Sequence, residues 1–170
     1  MDIIIYNGET YKRRKDKWAD SSGLIAHDGL QDDLNKAYAQ QLDPNTLPLD
    51  DCIAQGDSFK KSSSYSLALK FYEAAVEKAD FKTMSYILPR MTSCYRKIGQ
   101  PQKAIDILTY ASKTFGKEMI TSALLTSAAA AYCDLGDSLH AKLCYKKAYA
   151  KGGNSDELSL VYKRIQSLDS

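Results

Sequence analysis

The residues best suited to chemistry are concentrated in the segment YCDLGDSLHAKLCYKKAYA, which spans residues 132–150. It holds one of the two histidines, His140, and two of the four cysteines, Cys133 and Cys144. A histidine and a cysteine four residues apart can share a helix face and could bind zinc, and an imidazole can also activate a thiol as a nucleophile. Two ligands are too few for zinc, however, and Cys133 is predicted to lie on a different helix. The spacing therefore favours helix packing over a metal or catalytic site.

Other patterns typical of catalysis are missing from the sequence. It contains no GxGxxG, GxxxxGK[ST], HExxH or GxSxG motif. The other histidine, His27, lies in GLIAHDGL, which is predicted to be a turn with a structural role. We therefore expect no enzymatic activity, no catalytic or metal-binding residues and no cofactor.

Composition and charge limit the remaining classes of function. The chain has 170 residues, of which 44% are hydrophobic, enough to bury a core without disulfides or metal. Its net charge of +2 argues against a chain-wide polyanion binder. The first apolar run is only four residues long, and no later run is long enough to cross a membrane. With the cysteines scattered and no CxxC pair, these features predict a cytoplasmic protein with free thiols.

Residues 1–43 are predicted to form a small β-meander followed by a short helix. The run IIIY precedes Asn-Gly at residues 7 and 8, the strongest short signal for a hairpin. A two-residue turn there would pair Ile4 with Tyr11, and a second turn near residues 16 and 17 would bring Trp18 beside Lys15. The segment GLQDDLNKAYAQQLD then has the apolar spacing of a helix. Residues 44–48 contain two prolines and are predicted to be a linker.

From residue 49 onward, one six-position pattern occurs three times. Its positions are, in order, a small residue, an aromatic residue, Gly or Ser, Ala, a large apolar residue and Ala. The intervals between successive positions are three, four, five, four and three residues. Successive copies lie 36 and 37 residues apart, which predicts three helical hairpins in which small residues let bulky ones approach closely. The copies are Gly56, Phe59, Ser63, Ala68, Tyr72, Ala75; Thr92, Tyr95, Gly99, Ala104, Leu108, Ala111; and Ala129, Tyr132, Gly136, Ala141, Tyr145, Ala148.

This pattern resembles the tetratricopeptide repeat family. The likeness is strongest in AAAAYCDLGDSLHAKLCYKKAYA, good in SCYRKIGQPQKAIDILTYA and loosest in GDSFKKSSSYSLALKFYEAA. It does not extend to the N-terminal segment. The resemblance implies an all-α fold for residues 49–170, a right-handed superhelical α-solenoid of three hairpins with a C-terminal capping helix. The implied hairpins cover about residues 49–82, 85–118 and 122–155, and the capping helix covers residues 156–168.

The sequence departs from the family pattern at several places. Cys52, Leu88 and Leu125 stand where the family commonly has an early tryptophan, and the linkers are two or three residues longer than usual. Pro89 falls inside the predicted first helix of the second hairpin. That helix should therefore either begin near Leu88 or be kinked there.

By this resemblance, the first helices of successive hairpins line a concave groove that binds a peptide or a partner's helix. The basic residues among the groove positions favour an acidic or amphipathic segment. The Lys, Asn and Arg residues with which some family members grip chaperone carboxylates are absent. We therefore expect a non-enzymatic protein–protein interaction adaptor; a second interpretation is that the chain's own N-terminal segment fills the groove. The implied groove residues are Ile53, Asp57, Lys60, Tyr86, Arg90, Ser93, Arg96, Thr126, Ala130 and Cys133.

An alternative function rests on the N-terminal hairpin. The segment YKRRKDKW alternates aromatic and basic residues, as a surface for single-stranded nucleic acid or an acidic partner would. The competing interpretation, which we favour, is that Tyr11 and Trp18 pack on the adjoining helix while the basic side chains stay solvated. The residues of this patch are Tyr11, Arg13, Arg14, Lys15 and Trp18.

Overall fold

The computed structural model describes residues 2–169, which are mostly helical. Within that range there are eight α-helices and one three-stranded antiparallel sheet at the N-terminal end. This confirms the prediction of a predominantly helical chain with a small N-terminal β-meander. The chain divides between Leu47 and Pro48 into two compact units.

The N-terminal unit is a meander followed by one helix and a short 3-10 turn. The strands are hydrogen-bonded in chain order, so the sheet has two antiparallel pairs and no crossover. The elements are β1 (Ile3–Tyr6), β2 (Glu9–Arg14), β3 (Lys17–Ala19), α1 (Asp28–Gln41) and the 3-10 turn Pro44–Thr46.

The first turn has the predicted register and the second does not. Ile4 lies opposite Tyr11, which confirms the hairpin centred on residues 7 and 8. Trp18, however, lies opposite Arg13, so the prediction that it sits beside Lys15 is wrong. The second turn is a tight one made by residues 15 and 16, with Lys15 at a positive φ of 57°, and β2 therefore continues to Arg14.

Trp18 is the centre of the N-terminal core. Its side chain is fully buried and packs with Ile4 and Leu34. The indole Nε1–H donates to Oδ1 of Asn35 at 2.8 Å, and the Trp18 main-chain N–H donates to Oε1 of Gln31 at 2.8 Å. Two polar side chains of α1 therefore satisfy the donors that burial of a tryptophan would otherwise leave unpaired.

The second unit is a series of seven helices joined by short links. Each helix packs on the next one in the chain, and in addition α4 packs on α6 and α6 packs on α8. The helices are α2 (Leu49–Lys61), α3 (Tyr65–Val76), α4 (Phe81–Lys97), α5 (Pro101–Phe115), α6 (Ser122–Asp134), α7 (Ser138–Ala150) and α8 (Asp156–Leu168), with a 3-10 turn at Gly116–Glu118.

The six-position pattern has a consistent structural meaning. Its third position ends the first helix of a pair, with a positive φ of 59° at Ser63, 75° at Gly99 and 74° at Gly136. That left-handed conformation stops a helix and reverses the chain. The alanines at the fourth and sixth positions are fully buried in all three copies. The third position of the pattern thus marks a helix end, and the fourth and sixth positions mark sites of close packing.

Pro89 lies inside α4 and not at its beginning. The helix starts at Phe81, where the Asp80 side chain caps it by accepting a hydrogen bond from the Thr83 N–H at 2.7 Å. The alternative in which this helix begins near Leu88 is therefore wrong. Because proline has no amide hydrogen, the carbonyl of Ser85 lacks its usual helical donor.

Candidate functional site

The ten predicted groove residues lie on the first helices α2, α4 and α6, and their exposure differs between hairpins. Those on α2 and α4 are half-buried or, at Tyr86, exposed, so they present side chains to solvent. Those on α6 are Thr126, Ala130 and Cys133, and all three are buried. The surface available to a ligand is therefore concentrated on α2 and α4.

Asp57 joins three helices through hydrogen bonds to its carboxylate. It accepts from the Tyr72 hydroxyl of α3 at 2.5 Å, from the Tyr86 hydroxyl of α4 at 2.6 Å and from Nε of Arg90 at 3.0 Å. The Arg90 guanidinium also lies over the Tyr86 ring, 3.3 Å from its centroid. These contacts fix the relative position of α2 and α4 at the centre of the predicted groove.

The same contacts decide the protonation states in this network. Partial burial acts to raise the pKa of Asp57, but the hydrogen bonds from Tyr72 and Tyr86 and the charge of Arg90 outweigh it, and the pKa is lowered. The hydrogen bond to Asp57 and burial raise the pKa of Tyr86. Asp57 is therefore ionised and both tyrosines are neutral at physiological pH.

A second acidic residue, Asp134, joins α4, α6 and α8. It accepts from Nε of Arg96 at 2.7 Å and from Nη2 of Arg164 at 2.6 Å. Arg96 also lies 3.7 Å from a carboxylate oxygen of Glu157. Burial acts to raise the pKa of Asp134, but the two arginines lower it overall.

These pairings change the predicted charge of the groove. Arg90 and Arg96, two of the basic residues expected to meet a partner, are compensated by carboxylates of the chain itself. Within residues 2–169, Lys60 and Lys97 have no carboxylate at ion-pair distance. The uncompensated positive charge therefore lies on these two lysines.

Sequence reasoning missed part of this surface. A recess of about 190 Å³ is lined by residues of α4, α6 and α8, among them Ser93, Lys97 and Leu160. Leu160 is 59% exposed and offers an apolar contact beside the lysine. Helix α8 is expected from the sequence only to cover the last hairpin, but its exposed Leu160 belongs to this surface as well. We call Lys60, Ser93, Lys97 and Leu160 the first-helix surface, which consists of residues of α2 and α4 together with Leu160 of α8.

The residues of the alternative nucleic-acid patch do not form a stacking platform. Tyr11 and Trp18 are buried, and Tyr11 donates its hydroxyl hydrogen to Glu9 at 2.7 Å. Arg13 lies 3.7 Å from the Asp2 carboxylate and 5.8 Å from the centre of the Trp18 ring. Arg14 and Lys15 are exposed. Arg14 and Lys15 are thus at the surface, while the aromatic rings that would stack on bases are buried.

Both histidines and the cysteines Cys133 and Cys144 have structural roles. His140 contacts Asp137 through Nδ1 at 2.7 Å, and its ring stacks on Tyr132. Cys133 and Cys144 are buried in the core around α6 and α7, where desolvation raises the pKa of both thiols. His27 caps α1, accepting from the Leu30 N–H at 3.3 Å. The described residues contain no group of three or more His, Cys, Asp or Glu side chains arranged to hold a metal.

No family model matches the sequence, and no curated protein matches it. In the part of the chain that the structure describes, no helix combines the length and apolar character needed to cross a membrane.

Proposed function

We propose that the chain is a non-enzymatic protein–protein interaction adaptor whose helices α2–α7 are three tetratricopeptide-like hairpins capped by α8. Support comes from the contacts between helices. Each helix packs on the next, and the first helix α6 also packs on the first helix α4 and on the capping helix α8. We interpret these contacts as those of a helical solenoid, in which successive first helices lie side by side.

The observation that carries the proposal is the pair of acidic residues between first helices. Asp57 ties α2 to α4, and Asp134 ties α4 to α6 and α8. These bonds hold the first helices in a fixed arrangement without using Lys60, Lys97 or Ser93. A preorganised surface loses less conformational entropy on binding, so it is suited to gripping an extended segment.

The partner that fits the first-helix surface is an extended acidic peptide with at least one large apolar side chain. Carboxylates would pair with Lys60 and Lys97, which have no acidic partner within residues 2–169. The apolar side chain would pack on the exposed Leu160. An array this short should bind such a segment with a Kd of about micromolar order. With all four cysteines buried as reduced thiols, we place this activity in a reducing compartment such as the cytoplasm.

Selection from a displayed random-peptide library tests the proposal directly. The immobilised chain should enrich peptides that combine Asp or Glu with Leu, Ile or Phe. A double variant, Lys60→Glu with Lys97→Glu, should bind the selected peptides about tenfold more weakly or worse, because two attractive contacts become repulsive.

The matched control is Lys113→Glu with Lys146→Glu. These lysines are exposed on α5 and α7, the second helices, so the change in net charge is the same but the position differs. The control should retain the affinity of the unmodified chain. Equal loss in both variants would show only a response to net charge, and equal retention in both would remove the first-helix surface from the account.

A further inference from the structure

We propose that the chain has a second binding site, for a small amphipathic carboxylate with one alkyl or aryl chain. The site is a cavity of about 610 Å³ bounded by α5, α6, α7 and the link between α5 and α6. Its volume falls in the range of about 300–1,000 Å³ that is typical of small-molecule sites. We call it the lysine-rimmed cavity. It is separate from the first-helix surface and does not depend on the adaptor function.

The cavity lies beside the long link between the second and third hairpins, which supplies part of its lining. Residues 116–121 connect α5 to α6, whereas residues 77–80 suffice between α3 and α4. The longer link forms a 3-10 turn and buries Met119, which is 1% exposed. Helix α5 packs mainly on α4 and α6, and α7 packs mainly on α6 and α8. The space beside α6, between the two second helices, is left open.

The inner wall of the cavity is apolar. Leu108, Ile120, Leu125 and Cys144 line it, and Leu125 and Cys144 are buried members of the surrounding core. No charged side chain is among these four. An alkyl or aryl chain entering the cavity would therefore leave water without desolvating a charge of the protein, which favours apolar ligands.

The outer edge of the cavity is positively charged. Lys117, Lys147 and Lys151 line it, and all three are exposed. Within residues 2–169 none of them has a carboxylate at ion-pair distance. Three uncompensated ammonium groups around an apolar recess are complementary to a ligand with an apolar body and one anionic head group. This complementarity is the reason for choosing an amphipathic carboxylate over a neutral apolar ligand.

Displacement of a dansyl-labelled undecanoate is a direct test on the whole chain. Saturated carboxylates of increasing length should displace the probe, with affinity rising by up to about fourfold per added methylene until the cavity is full. Primary alcohols of the same lengths should bind about tenfold more weakly, and the carboxylates should lose affinity as salt concentration rises. Failure of the probe to bind saturably below its micelle concentration would overturn the proposal.

Neutralising the rim lysines distinguishes the contribution of charge to ligand affinity from that of apolar contact. Changing the three rim lysines to Gln should weaken carboxylates about tenfold and alcohols less than about threefold. The same change at three exposed lysines outside the cavity should leave both ligand classes unaffected. If rim and control variants behave alike, the rim does not select the head group. The rim variant is Lys117→Gln, Lys147→Gln and Lys151→Gln; the control is Lys113→Gln, Lys146→Gln and Lys163→Gln.

A steric variant locates the site without altering charge. Ala150 is an exposed residue that lines the cavity, so Ala150→Trp can obstruct it with little effect on the core. We expect probe affinity to fall about tenfold or more while the helical circular dichroism spectrum is unchanged. Undiminished probe binding to Ala150→Trp would place the ligand elsewhere and contradict the proposal. Lys60→Glu with Lys97→Glu should not affect the probe, which distinguishes this site from the peptide surface.

Discussion

The ring of Tyr72 lies against the α-carbon of Gly56, so close that a β-carbon at residue 56 would stand 2.6 Å from ring atom Cε1. Glycine is thus required in the middle of α2 by the second helix of the same hairpin. In most helices Gly→Ala stabilises by about 0.5–1 kcal/mol, but here we expect Gly56→Ala to lower the free energy of unfolding by about 1–3 kcal/mol. Guanidinium denaturation followed by circular dichroism measures this change.

Two further variants test whether contact with the Tyr72 ring causes the loss of stability expected for Gly56→Ala. Ser58→Ala, on the exposed face of the same helix, should leave stability nearly unchanged. Adding Tyr72→Leu to Gly56→Ala should cost less than the sum of the two single changes, because the smaller side chain makes room for the new methyl group. Leucine already stands at the corresponding position of the second hairpin, Leu108. A stabilising Gly56→Ala would contradict the packing described for this hairpin.

Acid should weaken the helical unit through Asp57 and Asp134. The pKa of each is lowered in the folded chain, so each contributes stability that is present above the unfolded-state pKa of about 3.9. That contribution is lost as pH falls through the lower folded pKa. Asp57→Asn with Asp134→Asn should therefore flatten the decline of unfolding free energy as the pH falls below about 4. Denaturation at a series of pH values measures the slope, and Asp106→Asn, an exposed carboxylate of α5, should leave it unchanged.

The contact between Arg96 and Asp134 should show measurable coupling. Their side chains are only 13% and 26% exposed, and the donor–acceptor distance is 2.7 Å. A double-mutant cycle with Arg96→Gln and Asp134→Asn should give a coupling free energy of about 1–3 kcal/mol. The comparison is Lys142 with Asp169, whose side chains are 45% and 40% exposed, and for which we expect less than about 1 kcal/mol. Equal coupling for the two pairs would show that burial does not strengthen the contact on α4 and α6.

The cysteines should react slowly while the chain is folded. All four are buried, and desolvation raises the pKa of Cys94 to about 11 and acts in the same direction on the pKa of Cys52, Cys133 and Cys144. Because the thiolate is the reactive form, labelling with a disulfide reagent at pH 8 should be slow in buffer and fast in guanidinium. Cys144 lines the lysine-rimmed cavity, so it should be labelled first. Rapid labelling of Cys94 in buffer would contradict its burial.

Local signals explain what could be predicted from the sequence. Asn7 and Gly8 both take positive φ, which a tight hairpin turn requires, and so the first register followed directly. The repeated small residues and turn residues marked the helix ends at Ser63, Gly99 and Gly136 for the same reason: each is a property of a few neighbouring residues. The second turn lacks an Asn-Gly pair, and its register was predicted wrongly.

Contacts between residues far apart in the sequence could not be predicted. Asp57 accepts hydrogen bonds from Tyr86 and Arg90, which lie 29 and 33 residues further along the chain. No local sequence pattern predicts such contacts. The basic groove expected from Arg90 and Arg96 therefore proved to be internally paired, and the uncompensated charge lies on Lys60 and Lys97. Likewise, the roles of Gln31 and Asn35 at Trp18 depend on how α1 meets the sheet.

The central claim, that the first helices form a peptide-binding surface, is tested most directly by mapping a selected acidic peptide on the isotopically labelled chain. We predict that amide chemical shifts change along α2, α4 and α8, with the largest changes near Lys60, Ser93, Lys97 and Leu160. The changes should disappear with Lys60→Glu and Lys97→Glu. Shift changes confined to the second helices α3, α5 and α7, or none at saturating peptide, would contradict the account.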